Sequence, residues 1–168
     1  MADAKRDLGL AAWAALLRTH AAAVPRVEAD LRSATDLPIQ WYDVLLELEY
    51  APSRKLRMQD LGERVVLSRS RVSRIVDELV AVGLAVREPE AADGRVFYAV
   101  ITPAGRARLR RAAPAYVAAV EQHFIEHLTT TQLQDVLTAL ERVLRATRRA
   151  ERRGGVGRDG MTGRPRGW

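Results

Sequence analysis

The groups best suited to chemistry in this 168-residue chain are crowded into residues 68–82, SRSRVSRIVDELVAV. The guanidinium groups of Arg69, Arg71 and Arg74 are interleaved there with the hydroxyls of Ser68, Ser70 and Ser73. A guanidinium donates parallel N–H bonds to a guanine edge or a phosphate, and a serine adds a shorter contact to either base type. Asp77 and Glu78 follow only in the next turn, so the cationic end leads. A helix basic along its whole length would lie flat on a polyanion, whereas this one presents its N-terminal end, as a helix entering a major groove does. In this reading Arg71 and Arg74 read bases, Ser70 adds a shorter base contact, and Ser68, Arg69, Ser73 and Arg87 hold phosphates. It requires Arg71 and Arg74 to be free of contacts within their own subunit. The competing reading is an amphipathic surface helix whose arginines are merely solvated.

These groups need a helix packed from behind. Val72, Ile75, Val76, Leu79 and Val80 recur at i, i+3, i+4, i+7 and i+8, which predicts one apolar stripe opposite Ser70 and Arg74. Ser68 is suited to accept from the free N–H groups of the first turn, and Gly83 is placed to end the helix. A short helix over residues 58–65, with Leu61 and Val65 inward, precedes it across Val66-Leu67. Two helices joined by so short a turn form a helix-turn-helix. After Gly83 the pattern becomes strand-like over residues 84–88 and 96–101, with turn residues in 89–95, so a hairpin wing follows directly. Arg95 near its tip is placed for a narrow minor groove, or else balances Asp93.

Outside this module the pattern is helical. Trp13, Leu16, Leu17, His20, Val24, Val27 and Leu31 predict a long helix over residues 4–33, kinked or broken at Pro25. Lys5, Arg6, the apolar run 8–17 and three alanines at 21–23 imitate a secretory leader, but Asp3 and Asp7 spoil its basic start and the helical period runs through the supposed cut. Asp36 is a candidate cap and Pro38 a first-turn proline for a helix over residues 39–50, carrying Trp41, Val44, Leu45 and Leu48 on one side. Thr102-Pro103 starts another, marked by Leu109, Tyr116, Val117, Val120, Phe124 and His127 and interrupted at Pro114. Thr129, Thr130 and Thr131 cap the last, where Leu133, Val136, Leu137, Leu140, Val143 and Leu144 form the cleanest stripe. Such terminal helices call for a second copy of the chain, giving a two-fold dimer.

The expected architecture is mainly α with a small β wing: a winged helix-turn-helix over residues 36–102, an N-terminal dimerisation helix over 1–35, C-terminal dimerisation helices over 103–150, and a disordered Arg/Gly-rich tail over 151–168. Without cysteine there is no disulfide and no thiol chemistry, and the formal charge of +6 favours a polyanionic partner without choosing among polyanions. No apolar run is long enough to span a bilayer, so a cytoplasmic protein is expected. No nucleophile with a base, glycine-rich phosphate loop or paired carboxylates suggests an enzyme, and no cofactor is expected. His123 and His127, four apart with Glu121 or Glu126 nearby, have metal-ligand spacing, but such pairs are more often packing and surface residues, so no metal is assigned. Trp13, His20, Trp41 and Tyr42 are candidates for a small-molecule site, against the commoner reading that they are core.

The order of elements resembles the MarR family of bacterial transcription regulators. The likeness covers residues 8–149 and is strongest over 58–105. It is carried by MQDLGERVVLSRSRVSRIVDELVAVGLAVRE, by DGR at 93–95, by ITPAG at 101–105 and by LPIQWYDVLLEL at 37–48. The resemblance implies a homodimeric repressor or activator, often released by a small aromatic or phenolic ligand. It also implies that residues 68–74 lie in the major groove and Arg95 reaches the minor groove. Two places depart from the family pattern: Val66 stands where many such turns carry glycine, and the wing reads EPEAADGR rather than DPxDRR, one tip arginine fewer. The functional expectation is a sequence-specific double-stranded DNA-binding repressor on a palindromic operator. The alternatives are a winged-helix protein-interaction module and a nonspecific nucleoid-type DNA binder.

Overall fold

A computed structural model describes residues 2–65, 67–90 and 96–155, with backbone alone at 2, 69, 148 and 150–155. In chain order the elements are α1 (Ala2–Thr35), α2 (Ile39–Tyr50), β1 (Lys55–Arg57), α3 (Met58–Arg64), α4 (Arg69–Ala81), β2 (Ala85–Pro89), β3 (Phe97–Ile101), α5 (Pro103–His123) and α6 (Thr130–Gly155). Short 3-10 turns occupy Pro52–Arg54 and Ile125–His127. The chain divides into two compact units after Phe124.

In the first unit α2 is the central helix, touching α1, α3, α4, α5, β1 and β3. Its Val44, Leu45 and Leu48 are fully buried, and Tyr42 rather than Trp41 takes the fourth inward place. They join Leu61 of α3, Val72, Ile75, Val76 and Leu79 of α4, and Leu109 and Ala112 of α5 in one core. Val80, expected in the α4 stripe, lies on its margin and is exposed, as is Val117 on α5, where Ala112 and Ala119 take the buried face instead. Burial of the four inward α4 side chains contributes about 1.5–3 kcal/mol each. The helix that carries the arginines is therefore fixed to α2 and the sheet.

The sheet has three antiparallel strands in the order β1-β3-β2. The β2–β3 hairpin pairs Ala85 with Ile101 and Pro89 with Phe97, close to the expected register. The strand β1 was not expected: residues 53–56 read only as a lead into α3, yet Leu56 is buried and pairs with Ala99. Three residues are too few to show a period.

Both interior prolines fail to break their helices. α1 runs through Pro25 and α5 through Pro114. Each ring lies on an exposed face, where the carbonyl it deprives can meet water, while Val27 and Leu31, or Ala112 and Ala119, pack nearby. Arg26 also folds back to donate to the Ala22 carbonyl at 2.6 Å, in the turn that Pro25 weakens. Asp36 is likewise not the cap of α2. It closes α1 instead, with φ 54° and its N–H donating to the Arg32 carbonyl at 2.8 Å, the left-handed position that a short polar residue tolerates. Pro38 then stands at the N-cap of α2 with no side-chain hydrogen bond.

In the second unit α6 begins with a reciprocal cap. The Gln132 N–H donates to Thr129 Oγ1 at 3.3 Å, and the Thr129 N–H donates to Gln132 Oε1 at 2.9 Å. Leu137, Leu140, Val143 and Leu144 leave its apolar stripe exposed. The helix continues to Gly155, so residues 151–155 are helical where a disordered tail was expected, and the expectation for 156–168 lies outside the described residues. No helix among the described residues is long and apolar enough to cross a membrane.

Candidate nucleic-acid interface

α4, the helix expected to enter a groove, starts as its sequence requires. Ser68 is extended at the N-cap and its Oγ accepts from the Arg71 N–H at 3.3 Å, while Ser70 Oγ lies 3.2 Å from Ser68 Oγ. Gly83 ends it in the left-handed region at φ 73°. The first turn thus exposes Ser68 and Ser70 beside the positive end of the helix dipole.

The two arginines expected to read bases differ. Arg74 is exposed and makes no hydrogen bond or ion pair to the described residues. Arg71 is not free, contrary to what the base-reading expectation required. Its Nε donates to Gln40 Oε1 of α2 at 2.9 Å, and one terminal nitrogen lies 3.9 Å from Glu78 Oε1. Glu78 falls two turns after Arg71 on the same face, and its other oxygen accepts from the Trp41 indole N–H at 2.9 Å. The side chain of Arg71 nevertheless keeps 42% of its surface exposed.

Arg87 and Ser73, both expected to hold phosphates, are bonded to each other. Arg87 donates to Ser73 Oγ at 3.1 Å and pairs with Asp77 at 2.9 Å, and its Nε is buried. The reason is position: Ser73 and Asp77, one turn apart, face β2, so Arg87 braces the wing against α4. Each acid of the helix thereby has a cation, Asp77 with Arg87 and Glu78 with Arg71, and the charge of Arg74 is left uncompensated. The side chain of Arg69, the turn residue Val66 and the wing arginine Arg95 lie outside the described residues.

The base of the wing carries contacts that the sequence did not suggest. Arg57 donates to Glu90 and to the Tyr98 hydroxyl, and that hydroxyl donates to Glu90 at 2.9 Å. Lys55 Nζ stands 4.9 Å over the Tyr98 ring. The Tyr98 hydroxyl first, then Glu90, hold the Arg57 guanidinium above its already high range. These partners come from separate segments, and no spacing rule could have joined them.

The four candidate ligand residues are not gathered into one wall. Trp13 and His20 are exposed on α1, and Trp41 is committed to Glu78. Tyr42 lies in the core, its ring stacked on Tyr116 at 4.2 Å between centroids, and burial first, then Tyr116, push its hydroxyl up to about 12. His123 Nε2 sits 2.7 Å from Asp30 Oδ2, and α5 ends at His123, so His127 does not follow it one turn later on the same α-helix. Beside the tyrosine pair, burial and then Glu47 raise the Asp43 carboxyl from 3.8 to about 6. Between these values the folded chain holds a proton that the unfolded chain has lost, so stability falls as pH rises through this window. Asp43→Asn is expected to stabilise the protein by about 2 kcal/mol above roughly pH 7, with the gain vanishing toward about pH 4. Thermal melting at both ends checks this, and an equal gain at the two would refute it.

A sequence model of the MarR family matches residues 35–96. Sco3205, a MarR family transcriptional regulator from Streptomyces coelicolor solved in complex with DNA, is 30% identical with a TM-score of 0.72, covering 80% of this chain and 84% of that one. AbsC, a MarR family transcriptional regulator from the same organism, is 30% identical with a TM-score of 0.74, covering 84% and 95%. CouR from Rhodococcus jostii, solved bound to p-coumaroyl-CoA, shares the fold at 22% identity with a TM-score of 0.66, covering 77% and 88%. No curated protein matches the sequence.

Proposed function

We infer, since this chain belongs to the MarR family of transcription regulators, that its DNA binding is sequence-specific and that it acts as a homodimer on a palindromic operator. The observation that carries the reading is Arg74: exposed, unpaired among the described residues, and set on the leading half of a capped helix whose acids are already matched. Ser68 and Ser70 beside it supply phosphate and base-edge contacts, and Arg69 and Arg95 complete the basic surface in this proposal. Exposed Leu8, Trp13, Leu16 and Leu17 of α1, and Leu137, Val143 and Leu144 of α6, support pairing with a second copy. A two-fold dimer places its recognition helices on half-sites about 34 Å apart. Where such a site overlaps a promoter its occupation blocks transcription, and repression in the cytoplasm is the role proposed. Release by a small aromatic ligand is the accompanying proposal, suggested by CouR, which shares the fold and was solved bound to p-coumaroyl-CoA.

Selection from a random duplex library at rising salt tests the reading. The expected result is a palindromic preference that survives at high salt. Binding with no preferred site would make the protein a nonspecific nucleoid-type binder, and no binding at all a protein-interaction module.

A further inference from the structure

We infer that Gln40 is a positioning residue for sequence reading: from α2 it holds the Arg71 guanidinium by its Nε and presents the two terminal nitrogens as a fork toward the duplex. The inference rests on the reading of α4 as the base-contacting helix, and for Arg71 it replaces the requirement of a wholly free side chain by one in which only Nε is committed. A guanidinium has five N–H donors, and the Nε–H given to Gln40 Oε1 at 2.9 Å is the one an end-on pair of contacts to guanine does not use. The carboxylate of Glu78 stands 3.9 Å from the nearer terminal nitrogen, too far for a hydrogen bond, so it biases the charge without consuming a donor. Glu78 is itself held, because its other oxygen takes the Trp41 indole N–H at 2.9 Å.

Gln40 and Trp41 are neighbours at the start of α2, whose Val44, Leu45 and Leu48 are fully buried, so the frame behind Arg71 is rigid. A free arginine must lose rotamer freedom on binding, and one already held loses less. Arg74 has no such support among the described residues. The two arginines thus have different roles: Arg71 is pre-oriented through the core, and Arg74 adapts on contact. Gln40, Trp41 and Glu78 touch no base in this account and act only through Arg71.

The test repeats the duplex selection with full-length variants. Arg71→Ala identifies the base pair that Arg71 reads. Gln40→Leu is expected to relax preference at that same base pair by about 3- to 10-fold, in the range of coupling between touching residues, with other positions and the salt dependence unchanged. Gln40→Asn, whose shorter amide falls short of Nε, should do likewise without an apolar substitution. Gln40→Glu keeps an acceptor and should keep the preference, and Gln40→Leu added to Arg71→Ala should change nothing further. A Gln40→Leu protein that selects the wild-type site at full strength, or that weakens equally on all sequences, overturns the inference alone. An Arg71→Ala protein with unaltered preference overturns the base-reading role of Arg71, and the inference with it.

Discussion

Gly105→Ala is expected to lower stability by about 3 kcal/mol, at the upper end of the cost of forcing atoms into a packed site. A Cβ at this position would stand 2.1 Å from the Leu84 carbonyl oxygen and 2.9 Å from Ile101 Cγ1. The first contact is with backbone, so no side chain can rotate away from it. The carbonyl is also engaged, accepting from the Thr102 N–H at 3.1 Å. Thr102 in turn caps α5 by accepting from the Gly105 N–H at 3.0 Å, and donates its hydroxyl to the Gly83 carbonyl at 2.7 Å. Gly105 therefore lies where the end of α4, the end of β3 and the start of α5 are tied together. The sign makes the experiment decisive. Glycine to alanine inside an open helix ordinarily gains up to about 1 kcal/mol, and Gly9 in α1, with nothing within 4 Å of its Cβ position, is the internal control for that gain. Thermal melting should place Gly105→Ala roughly 10 °C below the parent. A Gly105→Ala protein that melts at or above the parent temperature would mean that the helix start and the β3 end can move apart at little cost.

The same region marks how far the sequence could be read. Periodicity located α2 to the residue and α4 to within one residue at each end because each presents a stripe to one core, and the Ser68 cap and Gly83 stop bracket α4 with local chemistry that needs no tertiary partner. The ITPAG block was visible as a helix start, but the need for glycine within it was not, since the obstructing carbonyl belongs to Leu84, twenty-one residues earlier. Proline misled at Pro114, and at Pro25 as far as a break was expected, for a related reason. At Pro25 and Pro114 the cost is set by which face the ring occupies, and sequence alone assigned no face. The groups on α4 were legible as a set, but their commitments were not. Residue type and spacing distinguish neither the held Arg71 from the free Arg74 nor the brace at Arg87 from a phosphate contact, because Gln40, Trp41 and β2 approach from elsewhere in the chain.

Arg74→Ala is expected to cost about 1–3 kcal/mol of operator affinity per half-site, about 5- to 150-fold, and to relax preference at one base pair. Because Arg74 makes no hydrogen bond or ion pair to the described residues, its removal should leave the melting temperature unchanged, so lost affinity is not lost fold. The partner groups sharpen the expectation. Asp77 and Glu78 would lower the field at an arginine one turn away, but each is held by another cation, so the Arg74 charge acts at close to full strength. Arg74→Lys separates the two roles that charge could have. Lysine keeps the cation but not the planar fork, so a base reader loses its preference in Arg74→Lys as in Arg74→Ala, while the salt dependence stays near that of the parent. A phosphate anchor behaves in the opposite way: Arg74→Lys binds nearly as the parent does, and Arg74→Ala weakens all duplexes equally, with the logarithmic salt slope falling by about 1. Binding curves on the selected operator and on a scrambled duplex, each over a range of salt, distinguish these patterns. The second pattern would move sequence reading to Arg71 and Ser70.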